Sequence, residues 1–76
     1  MMAEQTPEGL GLLAVQLRAQ DVSKLIKLLT AQEVLAAGRG FRDMAKQIRQ
    51  CIAKEKRNLD ALLALLPEPI AAVIRG

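Results

Sequence analysis

Between Phe41 and Leu66 the apolar positions Phe41, Ala45, Ile48, Ile52, Leu59, Leu62 and Leu66 recur at alternating steps of four and three, with Glu55 filling the remaining place in the rhythm. Only an α-helix keeps residues at that spacing on one face. A helix over 41–66 would have about 26 residues and be about 39 Å long. Its limits are marked in the sequence. Gly38-Arg39-Gly40 precedes it, and glycine accepts the left-handed conformation that ends helices, so 38–40 reads as a turn between two helices. Leu66-Pro67-Glu68-Pro69 follows it, and the residue before a proline is driven out of the helical region, so 67–69 reads as a stop. Ile70, Val73 and Ile74 then follow helical spacing, predicting a last short helix over 70–75.

The segment before Gly38 is also helical in pattern, but with two phases. Residues 1–6 read as a flexible tail. Thr6-Pro7-Glu8 reads as a helix start, with a hydroxyl to cap, proline at the first position and an acid at the positive end of the dipole. Leu10, Leu13, Ala14 and Leu17 form one stripe, and Val22, Leu25, Ile26 and Leu29 repeat it one residue late. Two readings of 8–37 stay open. In the first, the helix breaks near 20, where Asp21 caps a new start, and again near 30, where Thr30-x-x-Glu33 has the form of a capping box. In the second, one continuous helix carries a seam of Leu12, Val15, Ala19, Val22, Ile26 and Leu29. Leu10, Leu17, Leu28 and Leu35 then form another on the opposite side. A helix apolar on two sides has to be buried on two sides.

Composition agrees with an all-α fold. Hydrophobic residues make up 51% of the chain, leucine and alanine dominate, Phe41 is the only aromatic, and the β-branched and aromatic strand formers are sparse. The expected architecture is a single helical domain over 1–76: a helical hairpin or small helical bundle. An antiparallel hairpin would set Leu29 near Ile48, Ile26 near Ile52, Ala19 near Leu59 and Leu12 near Leu66. That pairing leaves Leu10, Leu17, Leu28, Leu35 and Leu65 without cover. A chain of 76 residues buries only about 60% of its unfolded surface, and one cysteine with no histidine excludes an intrachain disulfide and a Cys/His zinc site. Dimerisation into a four-helix bundle is the expected remedy, and short helices wrapping the long one into a monomer is the alternative.

The residues carry little chemistry. Without histidine there is no imidazole base and no Ser–His or Cys–His pair, and no strand precedes either Gly-x-Gly, so no phosphate loop is formed. The expectation is a protein that is not an enzyme, with no catalytic residues, metal or cofactor. Cys51, beside the Ile48/Ile52 seam, reads as a small buried hydrophobe despite Arg49 and Lys54 nearby. Glu33 and Glu55 fall on seam positions and are expected to point outward at wet edges.

Charge has one pattern. The net charge is +3, but Arg39, Arg42, Lys46, Arg49, Lys54, Lys56 and Arg57 crowd one stretch against Asp43 and Glu55. Arg42, Lys46, Arg49 and Lys56 share a helix flank, with Arg39 and Arg57 at its edge, a stripe suited to an acidic protein or a phosphate backbone. No aromatic accompanies it to stack on a base. No segment reads as a membrane span or export signal, and the lone cysteine fits a reducing cytoplasm. The sequence therefore reads as a cytoplasmic interaction module: a small regulator, adaptor or inhibitor acting on a protein partner and as a homodimer. Leu10, Leu17, Leu28, Leu35, Ile70, Val73 and Ile74 are its expected contacts. Nucleic-acid binding through the basic stripe is the second reading.

Overall fold

A computed structural model describes residues 7–76, with side chains from residue 11 onward. Three helices follow one another, α1 (Pro7–Gly38), α2 (Arg42–Leu63) and α3 (Glu68–Arg75), with no strand among the described residues. The expected tail and the Thr6 cap lie outside the described residues.

α1 is one unbroken helix of 32 residues, about 48 Å long. Of the two readings of this segment the continuous helix is the one formed, without breaks near 20 or 30. Thr30 shows the reason at the second site: its Oγ1 donates to the Ile26 carbonyl at 2.8 Å, one turn back inside the same helix, instead of capping a new start. The phase slip in the apolar pattern is therefore the mark of a second face.

The turn after α1 is a Schellman closure. The Phe41 N–H reaches the Ala36 carbonyl at 2.9 Å and the Gly40 N–H reaches Ala37 at 3.1 Å. Gly40 supplies the left-handed residue, with φ of 82°, while Gly38 stays helical, so the expected 38–40 turn narrows to Arg39–Gly40. Phe41 does not belong to the helix body. It sits at the N-cap of α2 with no side-chain cap bond.

α2 runs antiparallel to α1 and stops at Leu63, three residues before the expected end. The Leu65 and Leu66 N–H groups bond the carbonyls of Leu62 and Leu63 at 3.1 Å, a tightened last turn forced by Pro67, which disfavours helical backbone at Leu66. α3 begins earlier than the expected 70. Pro67 is its N-cap, its carbonyl accepts from Ile70 and Ala71, and Pro69 fits in the first turn where no N–H is required.

The core is small and rich in alanine: Ala19, Val22, Ala36, Ala45, Ile52, Leu63, Leu66 and Ala71. Alanines let the backbones approach closely. The main cluster joins all three helices through Ala19 of α1, Leu63 and Leu66 at the end of α2, and Ala71 of α3, flanked by Val15, Leu59, Leu62, Ile70 and Ile74. Because the chain leaves the helix after Leu63, Leu66 is buried in the cluster that holds Ala19, while Leu12 is 42% exposed. The molecule measures 56 × 25 × 14 Å, so its thin dimension is scarcely more than one helix. Its radius of gyration, 16.1 Å, exceeds the roughly 11 Å of a compact domain of this length. Such a shape has little interior, and α1 in particular is covered on one side only.

Candidate interaction surface

The inward face of α1 is set by Val15, Ala19, Val22, Ile26, Leu29 and Ala36, all buried or half-buried. At 100° per residue, Leu17, Leu28 and Leu35 project from the opposite side. They are 53%, 64% and 59% exposed. Leu13 and Val34 widen this outer face on one flank and Leu25 on the other, each at least 40% exposed. Leu10 continues the same spacing, with its side chain outside the described residues. α2 packs on the inward side, and α3 lies along the flank between the two faces, where Lys24 also borders it. Arg18 and Val22 share a depression with Asn58 and Leu62, while Gln20, Ser23 and Lys27 share one with Val73 and Ile74.

The three expected contacts on α3 divide. Ile70 and Ile74 are half-buried against the chain's own cluster around Ala19, so they serve the fold. Val73 is 79% exposed beside Lys24 and Lys27, next to the outer face of α1. Met44 is a surface residue that the sequence pattern did not single out. Met44 and Phe41 are both exposed, and with Leu35, Ala36 and Ile48 they line an open apolar depression at the hairpin end. The periodicity places Phe41 in the seam, whereas Met44, one helical step of three further on, lies off it.

Polar groups take up positions that sequence spacing only bracketed. Glu33 is half-buried and accepts from Arg49 Nη1 at 3.1 Å across the two helices, a pair that fixes their register more than it stabilises them. Glu55, also half-buried, accepts from Asn58 on its own helix at 3.3 Å. Cys51 is exposed, which overturns the expected burial: it precedes Ile52 by one residue, about 100° around the helix, and so leaves the seam. Arg39, Arg42, Lys46, Arg49, Lys56 and Arg57 are all exposed. Arg49 is engaged by Glu33, and at 100° per residue Asp60 falls on the same flank as Arg42, so the basic face is interrupted.

Among the described residues no three potential metal ligands cluster and no helix is long and apolar enough to cross a membrane. The depressions are open grooves between helices, lined by mixed apolar and charged side chains. Comparison with protein-family models, with characterised proteins and with solved structures gave no match for this chain.

Proposed function

We propose that this protein is a non-catalytic interaction module, a small regulator, adaptor or inhibitor whose partner-binding element is the outer face of α1. The observation that carries the reading is the exposure of Leu17, Leu28 and Leu35 along one line of a long, rigid helix whose other side already holds the fold together. An apolar band of this length in water is costly to solubility, and contiguous exposed apolar surface marks binding sites. A straight helix also presents it pre-ordered, which lowers the entropic cost of association.

The test is a photo-crosslinking amino acid placed at Leu28 and, as a control, at Lys54 on the solvent side of α2. The expected result is a covalent protein adduct at position 28 well above that at 54. Equal or absent labelling at both would overturn the reading.

A second reading, nucleic-acid binding through Arg42, Lys46, Arg49 and Lys56, draws on the exposure of all four. The Glu33 pair and Asp60 weaken it. Its signature is an affinity that falls steeply with salt, and a gel-shift titration with no complex at low ionic strength would dispose of it.

A further inference from the structure

The outer face of α1 has an internal symmetry. Taken at alternating steps of four and three, its positions are Leu10, Ala14, Leu17, Asp21, Lys24, Leu28, Ala31 and Leu35. Every member whose side chain is described, from Ala14 onward, is exposed. Read from either end the series runs leucine, alanine, leucine, charge. The two halves mirror each other about the point between Val22 and Ser23, except that one central charge is negative and the other positive.

From this self-complementarity, and resting on the interaction reading above, we infer that the partner of this face is a second copy of the same chain, bound antiparallel across a two-fold axis at Val22–Ser23. The steps of four and three place the eight positions at the a and d sites of a heptad pattern, and antiparallel helices pair a with d. Leu17 then meets the partner's Leu28, Ala14 meets the partner's Ala31, and Leu10 meets the partner's Leu35. Asp21 meets the partner's Lys24, and the symmetry makes that ion pair twice.

The flanks agree. In an antiparallel pair the residues just before each a position face one another, which sets Leu13 opposite the partner's Val34, two apolar side chains that are 52% and 64% exposed. Val73, beside Lys24 and Lys27, borders the centre of the same contact.

Competing arrangements are penalised by the same residues. A parallel pair would stack Asp21 on Asp21 and Lys24 on Lys24. An antiparallel pair slipped by one heptad would press Lys24 onto leucine and Asp21 onto alanine. The central charges thus choose orientation and register, while the leucines provide the attraction. Because α2 sits on the inward side and α3 on one flank, the two hairpins join back to back through α1, which differs from a compact four-helix bundle. The contact is about 39 Å long and about one helix wide, roughly 400 Å² of footprint on each copy, which is below a standard specific interface and makes the dimer a weak one.

The experiment uses the full chain. Sedimentation is measured up to several hundred micromolar for the wild type, Asp21→Lys, Lys24→Asp and an equimolar mixture of the two variants, with circular dichroism confirming that helicity is kept. Both substituted positions are exposed, so the fold tolerates them. The wild type is expected to dimerise. Each variant alone, with four like charges at the centre, is expected to dimerise roughly tenfold to a hundredfold more weakly. The mixture restores opposite charges in both pairs and is expected to return to a dimer of one of each. A wild type that stays monomeric overturns the second copy. A dimer indifferent to both variants overturns the register. If the wild type is monomeric while the Leu28 crosslinker labels a different protein, only this inference fails. If it is monomeric and Leu28 labels nothing, the interaction reading fails with it.

Discussion

α2 buries Ala45, Ile52 and Leu63 on one face, exposes only Met44 of its large apolar residues, and leaves its charges to water apart from half-buried Glu55. α1 has an equally apolar inward face but repeats the apolar pattern on its outer side, where Leu17, Leu28 and Leu35 are exposed. The two helices meet along most of the length of α2, yet only α2 has its apolar surface matched to that single contact. Folding therefore accounts for one helix and half of the other. The half that folding leaves over is where association is to be sought.

The comparison breaks most decisively on leucine truncation. Leu63→Ala removes a side chain that is 2% exposed at the junction of three helices, and is expected to cost about 2–5 kcal/mol in urea denaturation. Leu28→Ala, measured at concentrations too low for association, is expected to stay within about 0.5 kcal/mol of the wild type. Equal costs would mean that the outer face supports the fold as strongly as the inner one does.

Alanines on the two faces sharpen the same contrast. Ala19→Leu forces added volume into the contact between α1, Leu63 and Ala71 and is expected to destabilise by about 1–3 kcal/mol. Ala31→Leu on the exposed side, again at concentrations too low for association, is expected to be near neutral in thermal melts.

The turn joining the helices separates its two glycines. Gly40, with φ of 82°, is expected to lose about 1 kcal/mol on change to alanine, although space is open around it. Gly38 is helical with equally open space, and Gly38→Ala is expected to raise stability by up to about 1 kcal/mol, read from the denaturation midpoint.

The smallest effect is expected at the polar edge between the helices. Glu33→Gln removes the pair with Arg49, which is about half exposed, and is expected to change stability by less than about 1 kcal/mol, with the difference shrinking in high salt.

How much of this was legible depends on the kind of residue. The α2 stripe and Gly40 were readable because periodicity and the left-handed glycine are local properties of the chain. Thr30 was not, since its hydroxyl can cap a helix or bond the carbonyl one turn back, and the sequence around it permits both. Cys51 was misplaced by proximity: one residue from a seam position is a quarter-turn or more from the seam. Leu66 is buried as the stripe predicts, but in the turn after Leu63 and not within the helix, because Pro67 ends the helix early. Of the proposed contacts, Leu17, Leu28 and Leu35 lie on the exposed face of α1, while Ile70 and Ile74 pack against the cluster around Ala19, a placement that depends on where the stop after Leu63 aims α3.

Apolar spacing and turn residues were enough to dictate that the chain is helical and where its turns fall, to within a few residues. They left undecided whether 8–37 is one helix or several, because Asp21 and Thr30 can each cap a new start or sit inside a continuous helix. The structure joins the two stretches into one helix, with Thr30 bonded back to Ile26, and the turn at Gly40 lays α2 along its inward seam. Packing in three dimensions thus turned one seam of α1 into a core and left the other as a surface.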